Sequence, residues 1–199
     1  LHVYKETLKD HKLYLETRSQ HWEKYYKNNQ KFLNPENLKN FRNNRILSNR
    51  LDDAENVQNK LNLIEVLDYF DGEFLKENLP VKNVGNCSYS INFMGYYFDY
   101  GIAHHLKWYE KIEKYISDGF CIMEIGGGFG SLARIIIKNK NVKYFLVDLP
   151  EANLMSNYYL QSHFPEKKIF NYLNFKEYEI EEQISKFDIF ILPPNTLNN

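Results

Sequence analysis

The chain has 199 residues, and its 43% hydrophobic and 16% aromatic content supplies enough apolar material for a core, which excludes a wholly disordered protein. Its 25 basic and 26 acidic residues leave a net charge of −1, so the basic surface typical of nucleic-acid binding is not expected. No apolar run approaches the roughly 20 residues of a membrane span, and no signal-peptide pattern opens the chain. The two cysteines, Cys87 and Cys121, are too few for a disulfide scaffold, which predicts a reducing, cytoplasmic setting. From the charge and the short apolar runs, neither a nucleic-acid nor a membrane partner is expected.

The first part of the chain, residues 1–116, is predicted to be helical. Apolar residues recur at spacings compatible with helix faces from Leu8 to Phe32, from Ala54 to Leu79 and from Tyr96 to Ile116. Gly72 weakens the second of these helices in its middle. We therefore expect a helical N-terminal region before any sheet begins.

Helix boundaries in this region are indicated by capping residues and prolines. Asn34 before Pro35 and Glu36 is typical of a helix start, with a capping side chain, a proline and an acid in the first turn. Pro80 is predicted to end the helix that precedes it, because proline has no N–H to donate. Residues 84–95 contain Gly, Asn and Ser without a period and are predicted to form a loop.

Residues 117–199 show a different pattern, in which short apolar runs alternate with helical segments. Such alternation predicts parallel βαβ units with right-handed crossovers, and so a doubly wound α/β domain. The predicted strands are residues 120–125, 143–148, 168–172 and 187–192, and the predicted helices between them are residues 131–138, 151–164 and 175–185.

The most informative segment runs from Glu124 to Gly130 and reads EIGGGFG. A strand that turns directly into a helix must bend sharply, and glycines permit that bend while leaving bare backbone for a ligand. In open α/β sheets, ligands bind at the carboxyl ends of the strands, which is where this loop is predicted to lie. The segment therefore predicts a ligand site.

The spacing of the glycines narrows the choice of ligand. A dinucleotide site would need G-x-G-x-x-G, but the third glycine position is Ser131, and a phosphate loop would need a Lys-Ser/Thr pair that is missing. Asp148 ends the second strand of the domain, where an acid can accept hydrogen bonds from both ribose hydroxyls. These features favour a nucleoside ligand without a pyrophosphate.

The pattern E-x-G-x-G-x-G, followed by an acid at the end of the next strand, resembles the class I S-adenosylmethionine-dependent methyltransferases. The whole chain more specifically resembles the sugar O-methyltransferase family. The matching stretches are short and are spread over most of the chain. They are residues 40–43, 47–48, 84–86, 124–130, 144–151 and 158–160.

The resemblance implies an α/β fold with a Rossmann-like class I methyltransferase sheet, preceded by the helical region over residues 1–116. Residues 117–199 would supply only the first four strands, so we expect a truncated chain that lacks most of the half that binds the acceptor. The implied activity is methylation of a hydroxyl on a small-molecule or glycan sugar. Helical regions often dimerise such enzymes, so a homodimer is a further implication.

The resemblance also implies S-adenosylmethionine as the cofactor and assigns roles to the residues of the site. The glycines of the turn would lie against the methionine part, Glu124 would hold the ammonium group, and Asp148 would bind the ribose hydroxyls. Leu149 would lie beside the adenine, and either Asn171 or Asn174 would meet its amino group. The implied cofactor-binding residues are Glu124, Gly126, Gly127, Gly128, Gly130, Asp148 and Leu149.

Two other functions remain open. A non-catalytic binding or interaction protein could use a methyltransferase-like fold, and a nicotinamide-dependent oxidoreductase could use a Rossmann-like one. Phe129 and Ser131 disfavour the oxidoreductase, because they break the dinucleotide spacing.

The candidate side chains also have purely structural interpretations. Glu124 could bond to backbone amides at a strand end, and Asp148 could be an acid favoured by the dipole of the helix that follows. His104 and His105 are adjacent on a predicted helix and point in different directions, so they do not predict a metal site. One of them could face the acceptor as a base, but no catalytic residue and no metal ligand is assigned.

Overall fold

The computed structural model describes residues 34–43, 57–88, 90–93, 96–175, 177–194 and 196. The helix predicted between Leu8 and Phe32, and residues 47–48 of the family resemblance, lie outside the described residues. Among the described helices, none is both long and apolar enough to cross a membrane.

The first described helix, α1, spans Pro35–Lys39 and begins where the sequence predicts. Asn34 has an extended backbone, and its side-chain oxygen accepts a hydrogen bond from the Asn37 N–H at 2.8 Å. That bond satisfies one of the N–H groups that a helix start leaves without an internal partner. The predicted cap is confirmed.

Two helices replace the single one predicted over residues 54–79. Asp71 leaves the helical conformation, and its carboxylate accepts a hydrogen bond from the Phe74 N–H at 2.8 Å, which starts a new helix. Gly72 is therefore the first residue of that helix and not a weak point inside a longer one, while the helix does end before Pro80 as predicted. The two helices are α2, Val57–Tyr69, and α3, Gly72–Asn78.

The segment that follows is not the loop and single helix predicted over residues 84–116. Residues 91–93 and 96–98 pair as an antiparallel hairpin, because the aromatic run favours a strand over a helix. Asp99 then starts the helix, since its carboxylate accepts a hydrogen bond from the Ile102 N–H at 3.0 Å. The elements are β1, Ile91–Phe93, β2, Tyr96–Phe98, α4, Tyr100–Ile112, and a 3₁₀ turn, Glu113–Tyr115.

The C-terminal part has the predicted α/β architecture, with four parallel strands in one sheet and helices between them, so that it is broadly Rossmann-like. The strands are β3, Cys121–Ile125, β4, Lys143–Val147, β5, Ile169–Phe170, and β6, Ile189–Leu192. The helices are α5, Ser131–Asn139, α6, Pro150–His163, and α7, Tyr172–Phe175, and the helix predicted over residues 175–185 is replaced by a 3₁₀ turn, Glu181–Gln183.

The strand order is β3-β4-β6-β5, which differs from the usual doubly wound order. In that order the first strand is central, with the second strand on one side of it and the fourth on the other. The fourth strand of this domain, β6, would then lie beside β3. Here β6 lies between β4 and β5 instead, and β3 forms one edge of the described sheet. The first and third strands of the domain, β3 and β5, are therefore the two edges of the described sheet.

β3 is not the buried strand that its apolar sequence predicts. Met123 is 56% exposed and Ile125 is 70% exposed, whereas all four residues of β6 are buried. The exposed residues of β3 alternate with half-buried ones, so one face of this edge strand is uncovered in the described part of the chain. The apolar run alone could not distinguish an edge from a central strand.

The two faces of β4 contribute to two hydrophobic clusters. Tyr144 and Leu146 belong to the larger one, which also contains residues of the helical region such as Phe41 and Leu106. Val147, on the opposite face, belongs to the smaller one. The helical region and the sheet are therefore packed around a common core.

Candidate ligand site at the glycine loop

The loop between β3 and α5 turns the chain by placing three glycines in the left-handed region. Gly126, Gly128 and Gly130 have φ angles of 79°, 57° and 86°, which other residues rarely adopt. The Gly130 N–H donates to the Gly127 carbonyl at 3.0 Å and closes the turn. The Gly126 N–H donates to the Val147 carbonyl at 2.8 Å and joins the loop to β4. Backbone geometry therefore requires glycine at the three left-handed positions.

The loop is closed on one side and open on the other. A Cβ added to Gly127 would lie 2.8 Å from Glu124 Oε2 and 2.9 Å from Leu146 Cγ. A Cβ added to Gly126 or Gly128 would meet no atom within 4 Å. Bare backbone at these two glycines therefore faces free space in which a ligand could lie.

Asp148 joins the end of β4 to this loop. Its Oδ2 accepts a hydrogen bond from the Gly128 N–H at 2.7 Å, and its Oδ1 accepts one from the Leu149 N–H at 2.7 Å. Burial raises the pKa of Asp148, and these two hydrogen bonds oppose the rise. An ionised carboxylate has about four acceptor sites, so each oxygen keeps capacity for a further donor.

Glu124 lies on β3 beneath the loop. Its Oε2 accepts a hydrogen bond from the hydroxyl of Tyr144, a residue of β4 that is fully buried, at 2.8 Å. Burial raises the pKa of Glu124, the hydrogen bond from Tyr144 opposes the rise, and the negative charge of Asp148 adds to it. The two carboxylates are therefore close enough to influence one another.

The electrostatic character of the site follows from these two acids. When both Glu124 and Asp148 are ionised, two negative charges lie at the loop, that of Glu124 against Gly127 on its closed side and that of Asp148 at the Gly128 N–H. Such a site stabilises a cationic group of a ligand and repels a phosphate.

The residues assigned to the adenine end are less closely grouped. Leu149 follows Asp148 directly and is half-buried at the N-cap of α6. The side-chain oxygen of Asn171 accepts from the Leu173 N–H, and that of Asn174 accepts from the Asn171 N–H, each at 3.0 Å. Since β6 separates β5 from β4, the structure does not bring these asparagines to the strand end beside Asp148.

Sequence reasoning missed the support of the loop by the helical region. The ring of Phe129, in the loop, lies 5.5 Å from that of Phe41 and 5.0 Å from that of Tyr159, between centroids. The guanidinium carbon of Arg42 lies 4.8 Å from the centroid of the Phe129 ring, within the range of a cation–π contact. Phe129 is thus the residue through which the glycine loop contacts α6 and the chain after α1.

The segment after α1 is itself held by two other parts of the chain. Arg42 Nη2 and Asp99 Oδ1 form a buried ion pair at 2.6 Å. The Arg42 N–H also donates to the Gly85 carbonyl at 2.9 Å. A Cβ on Gly85 would lie only 2.5 Å from the Phe41 ring, so glycine allows this close approach. The stretches at residues 40–43 and 84–86, both part of the family resemblance, were the available signal for this contact.

The adjacent histidines on α4, His104 and His105, contact different residues. Trp108 Nε1 donates to His104 Nε2 at 2.9 Å, and the ring of His105 lies 6.3 Å from that of Phe129, between centroids. Burial lowers the pKa of His105 to about 4, so this side chain is neutral at physiological pH. Within the described part of the chain, no group of three or more His, Cys, Asp or Glu residues could hold a metal ion.

Comparison of the chain with protein-family models, with curated proteins and with solved structures gave no match. The chemistry of the glycine loop therefore rests on its own residues.

Proposed function

We propose that the chain binds S-adenosylmethionine at the glycine loop and belongs to a class I methyltransferase that methylates a sugar hydroxyl. The observation that carries this proposal is the open backbone of Gly126 and Gly128 in a loop that adjoins two carboxylates, Glu124 and Asp148. A loop that served only as a turn would not need to leave this backbone open.

The charge of the site favours this cofactor over a dinucleotide. S-adenosylmethionine carries positive charge on its ammonium and sulfonium groups, which the carboxylates of Glu124 and Asp148 would stabilise. The pyrophosphate of a nicotinamide cofactor would lie at the glycine loop, where the carboxylate of Glu124 would repel it. The arrangement therefore supports a methyltransferase over an oxidoreductase.

Each residue of the site has a distinct task in this proposal. The backbone at Gly126 and Gly128 lies against the methionine part, and Glu124 binds the ammonium group. Asp148 uses one acceptor site of Oδ2 for the Gly128 N–H and one of Oδ1 for the Leu149 N–H, and the remaining sites would accept the ribose hydroxyls. Leu149 supplies an apolar contact for the adenine.

The cofactor supplies an electrophilic methyl group, and its transfer is an in-line displacement that depends mainly on alignment. The chain contributes to that alignment by holding both carboxylates in place. The Tyr144 hydroxyl holds Glu124, and the Gly128 N–H holds Asp148. A sugar acceptor is supported by the family resemblance, whose stretches at residues 40–43 and 84–86 lie in contact through the hydrogen bond from the Arg42 N–H to the Gly85 carbonyl.

A non-catalytic binding protein is a second candidate, and one observation favours it. Both oxygens of Asp148 already accept backbone N–H groups, so the carboxylate has a structural task whether or not a ligand binds. A folded chain that binds no S-adenosylhomocysteine would favour this second candidate.

The test is calorimetric titration of the chain with S-adenosylhomocysteine, the product of methyl transfer, and with NAD in parallel. We expect saturable binding of the first ligand only. Asp148→Ala should abolish that binding.

Asp118→Ala is the matched control, because Asp118 Oδ1 also accepts a backbone N–H, from Asn141 at 2.8 Å. Asp118 and Asn141 precede β3 and β4, whereas the glycine loop and Asp148 follow these strands. This variant should bind as the unchanged chain does. Binding of NAD, or equal binding by both variants, would contradict the proposed cofactor.

A further inference from the structure

A second cleft, with a volume of about 500 Å³, lies between α3, α5 and the C-terminal end of α6. None of its lining residues belongs to the glycine loop. We call it the Arg134 cleft, after the buried cation in its wall. Its chemistry is therefore separable from that of the proposed cofactor site.

Arg134, on α5, is only 2% exposed, yet its Nε and Nη2 atoms have no hydrogen-bond partner among the described residues. A buried guanidinium without a partner is costly, because both its charge and its N–H donors have lost water. The side chain lines the cleft, so an anion in the cleft would compensate its charge. No ion pair joins Arg134 to a carboxylate in the described part of the chain.

Two further groups in the cleft wall point to the same ligand charge. Lys138 follows Arg134 by one helical turn and lines the same cleft. His163, at the end of α6, has a buried Nε2 without a partner. Burial lowers the pKa of Lys138 and lowers that of His163 to about 3, and the charge of Arg134 adds to both shifts. The neutral imidazole of His163 can donate one hydrogen bond to an anion without adding charge.

The carboxylates of the cleft do not cancel its positive charge. The lining contains two acidic residues, Glu73 and Glu77 on α3, and three basic ones, Lys76, Arg134 and Lys138. It therefore has a surplus of one positive charge. Glu77 acts on Lys138, whose pKa it raises. Arg134 is the buried one of the three cations.

We propose that the Arg134 cleft binds the phosphate group of a small molecule, held by Arg134, Lys138 and His163. Donors from two different helices approach from different directions, which suits a tetrahedral phosphate with several oxygens better than a planar carboxylate. The rest of the cleft has room for the remainder of a phosphorylated small molecule.

The test is titration of the full chain with inorganic phosphate at constant ionic strength, followed by ³¹P NMR, with acetate as the competing carboxylate. We expect saturable phosphate binding that acetate does not displace. Lys138→Gln should weaken it by about tenfold, since a hydrogen bond to a charged group contributes enough for that factor. Lys140→Gln is the matched control, because this lysine follows the same helix but does not line the cleft.

Arg134→Gln should abolish phosphate binding, with circular dichroism to check that the variant folds. If it does not fold, Lys138→Gln and Lys140→Gln carry the test. Asp148→Ala, at the glycine loop, should leave phosphate binding unchanged. Absence of saturable binding, displacement by acetate, equal affinity in Lys138→Gln and Lys140→Gln, or loss of phosphate binding in Asp148→Ala would each overturn the proposal.

Discussion

The backbone N–H of Gly128 donates a hydrogen bond to Asp148 Oδ2 at 2.7 Å, and this bond joins the loop after β3 to the end of β4. The two halves of the sequence motif are therefore in direct contact. Asp148 shapes the loop and, in the proposed function, binds the ligand, so changes at either end of this contact should affect stability and ligand binding together.

Replacing Glu124 should stabilise the chain at neutral pH. Burial raises the pKa of Glu124 in the folded state, so its contribution to stability is present below the ordinary carboxyl pKa and is lost as the pH rises through the raised value. Glu124→Gln should therefore have a larger free energy of unfolding than the unchanged chain at about pH 7. The difference should shrink as the pH falls towards the ordinary carboxyl range, in urea unfolding curves.

Glu166→Gln is the control for this experiment, because Glu166 is exposed. It should leave the free energy of unfolding unchanged at both pH values. Glu124→Gln should also bind S-adenosylhomocysteine more weakly, so a gain in stability together with a loss of affinity is the expected signature. A less stable Glu124→Gln at neutral pH would contradict the assigned burial cost.

Gly127→Ala should destabilise the chain more than Gly128→Ala. The new Cβ would lie 2.8 Å from Glu124 Oε2 and 2.9 Å from Leu146 Cγ, so these neighbours must move, at a cost of about 1–3 kcal/mol. Gly128→Ala should cost about 1 kcal/mol, from its positive φ alone, because no atom lies within 4 Å of its Cβ. Gly72→Ala, at the start of α3, has neither burden and should not destabilise. Thermal unfolding measures all three, and equal effects of the two loop variants would rule out the steric explanation.

Phe41→Leu should weaken ligand binding although Phe41 lies outside the loop. Its ring packs 5.5 Å from that of Phe129, so a smaller side chain removes support from the loop. Phe170→Leu is the matched control, because Phe170 is equally buried but belongs to the other cluster. Each variant should lose about 1–2 kcal/mol of stability, but only Phe41→Leu should lower the affinity for S-adenosylhomocysteine in calorimetry. Equal affinities would show that the aromatic contact does not shape the loop.

Met123→Lys should be tolerated although it places a charge on a strand of the sheet. Met123 is 56% exposed on the edge strand, so the free energy of unfolding should change by less than about 0.5 kcal/mol. A lysine on an edge also disfavours pairing with another strand, so concentration-dependent association in analytical ultracentrifugation should fall or stay absent. Ile191→Lys, at a buried position of β6, should unfold the chain. Unfolding of the Met123→Lys variant would show that another part of the protein covers β3 at this position.

Local sequence signals were sufficient where one short segment decides its own structure. The side chain of Asn34 caps α1, as its position before Pro35 predicts. The four strands and the glycine turn lie where short apolar runs and glycines indicate them. The same signals misplaced the boundary near Asp71 and the hairpin before α4, because a capping aspartate and a short aromatic run are each compatible with more than one structure.

The sequence by itself determined the α/β class, the glycine turn and the acid that follows β4, since each depends on residues close together in the chain. Only the tertiary structure decided the strand order, which makes β3 an edge, and the contacts of Phe129 with Phe41 and of Asp148 with Gly128. It also decided that Arg134 is buried beside a cleft and that its Nε and Nη2 atoms have no hydrogen-bond partner among the described residues. Strand pairing and burial depend on which distant segments compete for the same surface, and no local pattern records that competition.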